Sequence, residues 1–344
     1  MPADFGYINA RVKGMRSRLL PPGRLEEMLA LPTLDDFMQA LTTTPYGPDL
    51  QEALSRRAGI QAVDEALARN FQQITRKILN FADGQPRTLI ELVLLRWDTA
   101  NVLAILRGKH TARGAEEITA NLIPAGGLRD VALRDLAGQA DVAGVAGALT
   151  ALAHPFSTPL AEGIRAYQET NDLLELELRL ERYYAEHVLS AAGGSDHSAQ
   201  VVRLVVQAEL DVTNVKTALK LQRQERLSGE DRARFFIPGG MVTSEDLFVA
   251  LADPQTAERG WRALYARGFP RLPATDDLLE IEKTLDLYVL RESAKLYLGD
   301  PLAIDVVIGY LSMKYNEVVN LRLIARGKLL GIPREMVRRE MALV

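Results

Sequence analysis

The chain has 344 residues with no cysteine, 41 Lys and Arg against 45 Asp and Glu, and a net charge of −4. This composition excludes disulfides and thiol chemistry, and it leaves no strong net field for drawing in nucleic acid. The longest apolar candidate, 142–153, is rich in Gly and Ala and falls short of the roughly 20 residues a membrane helix needs.

The first element in chain order is an expected helix with a basic cluster, Arg11, Lys13, Arg16 and Arg18, which reads either as a solvated face or as a partner contact. Leu20-Pro21-Pro22-Gly23 then opens a group of short helices that reaches the aromatic corner Pro45-Tyr46. Two spans without Gly or Pro, 60–83 and 87–107, follow as the arms of an antiparallel helical hairpin, with Pro86 at the expected start of the second arm. Ile123-Pro124 before Gly126-Gly127 reopens the same order: short helices, the corner Pro155-Phe156, then long spans 164–192 and 196–228 around Gly193-Gly194. Ile237-Pro238-Gly239-Gly240, the corner Phe269-Pro270 and the span 274–298 begin it a third time, and Asp300-Pro301 offers an N-cap and a first helical proline for the last long helix.

Residues 174–180 alternate apolar and charged side chains as a half-buried strand would. The stretch uses Leu, Glu and Arg rather than β-branched residues and lies inside a Gly- and Pro-free run, so it is assigned to a helix. Run unbroken, 164–192 would form a rod of roughly 40 Å. The fold class is all-α.

Several anchors recur in the same order. Asp98 and Asn101, Asp211 and Asn214, and Glu317 and Asn320 each place an acid three residues before an Asn. Arg107-Gly108-Lys109 and Arg326-Gly327-Lys328 follow the first and third Asn, while the middle copy has Lys220-Leu221-Gln222. Glu65 with Phe71, Glu177 with Tyr183 and Glu282 with Tyr288 repeat as well. One unit of about 110 residues is read three times, at 1–122, 123–236 and 237–344, a period too long for a solenoid and long enough for each copy to hold a core. Asn is a poor helix-interior residue, so its recurrence implies a buried hydrogen bond to backbone or to a facing helix. The Gly pairs read as hinges between units.

No catalytic constellation can be assembled. The Gly-Lys pairs lack the upstream Gly of a P-loop, since those positions hold Leu103 and Arg322. His110, His154, His187 and His197 show no metal-ligand spacing and read as surface or helix-end residues. No catalytic residue, cofactor, metal, nucleic acid or small-molecule substrate is expected.

The opening Asp4-Phe5-Gly6-Tyr7-Ile8-Asn9-Ala10-Arg11-Val12 and the closing Asn320-Leu321-Arg322-Leu323-Ile324-Ala325-Arg326 with Gly331-Ile332-Pro333 resemble the C-type stalk component of V/A-type ATP synthases, a family related to the d-type component of eukaryotic vacuolar ATPases. The resemblance implies three similar domains in a pseudo-threefold funnel. It also implies a non-catalytic central-stalk role, with one end on the membrane proteolipid ring and the other receiving the central-shaft subunits. The chain is then expected to be cytosolic and peripheral to the membrane through that complex. A generic helical scaffold for soluble partners and an uncharacterised helical enzyme are the rival readings.

Overall fold

The computed structural model describes residues 4–224 and 227–344, and among them every regular element is helical. The chain runs α1 (Gly6–Arg16), then three short helices α2 (Pro22–Ala30), α3 (Leu34–Thr42) and α4 (Gly47–Leu54), then the long α5 (Gly59–Asn80) and α6 (Gly84–His110). It continues through α7 (Ala115–Thr119), α8 (Asp130–Gly138), α9 (Val142–Ala151) and α10 (Ser157–Thr170) to the long α11 (Leu173–Ala191) and α12 (His197–Leu221). After α13 (Gly229–Ala233), α14 (Glu245–Ala252) and α15 (Ala257–Ala266) come α16 (Leu278–Lys295), a 3-10 turn at Leu296–Leu298, α17 (Asp305–Leu329) and α18 (Arg334–Glu340). No described helix is long and apolar enough to cross a membrane.

Two compact units form, Met1–Ser157 with Ala294–Val344, and Thr158–Ser293. In the first, α5, α6 and α17 meet at an aromatic triangle, with ring centroids of Phe71 and Trp97 5.2 Å apart and Tyr315 5.8 Å from each. The two helices α6 and α17 are buried on nearly every side, as expected for helices lacking one clear polar face. In the second unit Val215, Leu219, Phe248, Leu251, Leu264 and Leu285 join α12, α14, α15 and α16 in one core. Helix starts are set by short polar side chains: Thr33 with Asp36 and Ser228 with Asp231 form capping boxes, and Asp141, Asp172 and Asp196 each cap a backbone amide.

Three expectations need correction. The span 164–192 is not one rod: Asn171 takes a left-handed φ of 55°, ending α10, and Asp172 caps α11. Asn tolerates that conformation without a glycine, so no Gly or Pro marks the break. The stretch 174–180 lies inside α11. The last long helix starts at Asp305 rather than Pro301, because the Asp300 carboxylate caps Leu302 in a preceding turn instead. Finally, α12 stops at Leu221, short of 228; of the expected remainder, Glu225 and Arg226 lie outside the described residues. The corner aromatics Tyr46, Phe156 and Phe269 are all buried, yet Tyr46 leads into α4 and Phe156 into α10 before the chain reaches a long helix.

Candidate functional site

The recurring Asn residues lie buried in α6, α12 and α17, and each makes the same reciprocal pair of bonds to one backbone residue. Asn101 donates Nδ2 to the Ile123 carbonyl at 2.7 Å and accepts the Ile123 amide at 2.8 Å. Asn214 treats Ile237 likewise, at 2.8 and 3.0 Å. Asn320 does the same to Ala342, at 2.7 and 3.1 Å. A planar amide offers a donor and an acceptor side by side, which matches the two polar groups of one extended residue. The partner is therefore the connecting segment that follows each long helix, not a helix facing it.

One turn earlier each carboxylate collects backbone amides. Asp98 accepts from Gly127 at 2.7 Å and Leu128 at 3.1 Å. Asp211 accepts from Met241, Val242 and Thr243, and from the Thr243 hydroxyl at 2.6 Å. The loop can reach the acid only because of its glycines. A Cβ on Gly126 would overlap the Asp98 carboxylate, and one on Gly240 would overlap that of Asp211. Two of the Gly pairs expected as hinges, 126–127 and 239–240, are thus seats for a buried charge, and α8 and α14 start within four residues of the captured amides.

Glu317 plays this part with a segment from the other end of the chain. Its Oε2 accepts the amide of Leu20, and α2 begins at Pro22. Its Oε1 accepts the Tyr46 hydroxyl at 2.7 Å and the Lys314 ammonium at 2.8 Å. Lys314 also sits 4.1 Å from the centroid of the Tyr46 ring and is 2% exposed. Burial pushes the Lys314 ammonium below its ordinary pKa against the pull of Glu317, and burial followed by Glu317 pushes the Tyr46 hydroxyl well above its own. Asn9 adds a second tie between the chain ends, donating to the carbonyls of Pro301 and Ala303 at 2.8 Å each.

The repeated Arg-Gly-Lys has a packing reason. A Cβ on Gly108 would stand 2.5 Å from Ile118 of α7, and one on Gly327 would stand 2.5 Å from Val337 of α18. The middle copy has Leu221 at this position, itself buried. His154, which reads from sequence as a surface or helix-end residue, lies between the end of α9 and α10 and is nearly buried there, with Nε2 3.8 Å from Asp98 and its ring 4.7 Å from Phe156. Arg11, Lys13, Arg16 and Arg18 are exposed, and none of them forms a hydrogen bond or ion pair with the buried acids Asp98, Asp211 and Glu317 among the described residues.

The sequence pattern pairs the acids with the Asn residues but gives no sign of His154 as their neighbour and only a weak one of Lys314. The i, i+3 spacing of Lys314 to Glu317 is the available signal. Among the described residues no group of three or more His, Asp or Glu could hold a metal ion. The polar atoms of these acids and Asn residues are spent on the protein's own backbone and side chains, so the arrangement fastens loops to helices and holds charge out of water.

The fold and these locks define an all-helical protein whose buried polar groups serve its own architecture. A family model described as ATP synthase (C/AC39) subunit matches residues 8–340. A Thermus thermophilus protein, named as the C subunit of a V-type ATP synthase, is 35% identical over 341 residues, covering 99% of each chain. A Deinococcus radiodurans protein of the same name is 31% identical over 340 residues, covering 99% of this chain and 92% of its own. A Haloferax volcanii protein, named as the C subunit of an A-type ATP synthase, is 27% identical over 349 residues, covering 98% and 97%. The chain belongs to the ATP synthase (C/AC39) subunit family.

Proposed function

We propose that this chain is the non-catalytic central-stalk subunit of a V/A-type ATP synthase, coupling the rotating shaft to the membrane proteolipid ring. The division into 1–122, 123–236 and 237–344, the pseudo-threefold funnel and a cytoplasmic location peripheral to the membrane are parts of the same proposal. The observation that carries it, beside the family match, is the Glu317 lock. The third long helix captures the amide of Leu20, so the chain's two ends are tied through a buried, hydrogen-bonded charge. An adaptor that transmits torque gains from such closure, because long helices fastened at mid-length to their loops resist shear better than helices joined only at their tips. Asp98 and Asp211 each hold the loop that follows their own long helix in the same way, which supports reading the units as copies of one module.

The test is affinity purification of the tagged chain from native membranes. The reading expects shaft and proteolipid subunits to accompany it and the isolated chain to hydrolyse no ATP. Recovery of soluble proteins alone, or ATP hydrolysis by the chain alone, would overturn it.

A further inference from the structure

One surface is used neither by the locks nor by either core. It is built from α1, residue Phe81 at the end of α5, the 3-10 turn and the turn before α17. Tyr7, Leu298 and Leu302 are 64%, 87% and 63% exposed there. They belong together: the Phe5 amide donates to the Leu302 carbonyl at 3.3 Å, the Leu302 side chain lies beside Gly6, and the ring of Tyr7 is 6.2 Å from that of Phe81. Arg11 and Arg16 are set over the rings of Phe81 and Tyr297 at 5.0 and 4.9 Å, which fixes two guanidinium groups at the surface.

The charge on α1 is one-sided. No acid occurs within α1, and among the described residues no carboxylate forms an ion pair with Arg11, Lys13, Arg16 or Arg18. Of the acids near it, Asp4 and Asp300 each accept a backbone amide locally, from Gly6 and Leu302, both at 2.8 Å, Asp305 is buried in the first turn of α17, and Asp83 stands exposed two residues past Phe81. On the helical wheel Tyr7 and Arg11 share a side, Lys13 lies about 120° from Tyr7 at the other edge of the exposed side, Arg16 reaches round to Tyr297, and Arg18 follows in the turn after the helix. A protein partner with directional hydrogen bonds calls for donors and acceptors in register, whereas the exposed polar groups of α1 are cationic donors with the Tyr7 hydroxyl alone able to accept.

We propose that this surface rests on an anionic phospholipid membrane, with Tyr7, Leu298 and Leu302 entering the headgroup region and the four cations facing lipid phosphates. Shallow apolar insertion and basic attraction are each weak, and together they give the two signals that stable peripheral attachment requires. The inference does not depend on docking to a proteolipid ring. Vesicles contain no ATPase subunit, so a negative result with them leaves the adaptor reading standing.

The experiment is co-sedimentation of the full chain with phosphatidylcholine vesicles, with and without phosphatidylglycerol, at low and high salt. Binding is expected only with phosphatidylglycerol and is expected to weaken with salt. Lys13→Glu with Arg18→Glu should lower it at least about tenfold, and Leu298→Ser with Leu302→Ser should lower it with little change in its salt dependence. All four positions are exposed, and melting curves check that the variants fold. Equal binding to neutral vesicles, no binding to either, or unaltered binding by the variants overturns the proposal. So does a result in which these substitutions affect only binding to a purified proteolipid ring.

Discussion

Replacing Asn214 with Leu removes one lock while keeping nearly the same side-chain volume. Asn214 is fully buried, and its substitution strands the Ile237 amide and carbonyl, which it holds at 3.0 and 2.8 Å. Each stranded backbone group costs about 1–3 kcal/mol, and the apolar atoms gained return part of that, so the net loss is about 2–5 kcal/mol. In a unit of this size a loss of 3 kcal/mol lowers the melting temperature by about 6–12 °C. Asn320→Leu makes an informative companion. Its partner Ala342 is half-buried and its carbonyl also accepts from Asn316 Nδ2 at 2.7 Å, so one amide alone loses its partner and the expected cost is about 1–2 kcal/mol. Both are measured by calorimetry and by shaft binding at a temperature where the variants stay folded. Lost shaft binding at unchanged stability, or a larger cost at Asn320 than at Asn214, would refute the reasoning.

Gly126→Ala drives a methyl group into the Asp98 carboxylate and should cost about 1–3 kcal/mol in urea unfolding, whereas Gly14→Ala, with nothing within 4 Å, should stabilise by about 0.5–1 kcal/mol. Lys314→Met leaves Glu317 charged and without its cation, at a cost of about 3–5 kcal/mol. Adding Glu317→Gln should recover part of that loss, and strict additivity in the double-mutant cycle would contradict a coupled pair. Burial, then Glu317, raises the Tyr310 hydroxyl above its ordinary value of 10.0, so above that pH the unfolded chain releases this proton while the folded chain keeps it. This contribution to stability is therefore level below pH 10 and falls as pH rises beyond it, and Tyr310→Phe should flatten the alkaline limb of a melting-temperature profile.

The long helices can be read from Gly- and Pro-free spans because those two residues break helices for steric reasons that act locally. The turn at Asn171 cannot, since a left-handed Asn looks like any other helical Asn in sequence. The spacing of Asp98 to Asn101 and its two counterparts shows that something buried is being held, but not what. The captured amides lie 29 and 30 residues from Asp98 in the chain, and the Leu20 amide lies 297 residues from Glu317. No local pattern encodes such distances. The Arg-Gly-Lys repeat is visible as a pattern, whereas its reason, room for Ile118 and Val337, exists only once α7 and α18 fold back. His154 reads as a surface or helix-end residue because the sequence shows only that it lacks ligand spacing, and its contact with Asp98 arises from the corner before α10.

The central claim is mechanical coupling, and the most direct measurement reconstitutes the catalytic head, shaft and membrane ring in proteoliposomes with and without this chain. With the chain present, ATP hydrolysis should drive ion uptake, and collapsing the ion gradient should speed hydrolysis. Without it, hydrolysis should continue at a rate indifferent to the gradient, with no uptake, and adding the purified chain back should restore both. Ion uptake of equal extent in its absence would contradict the account.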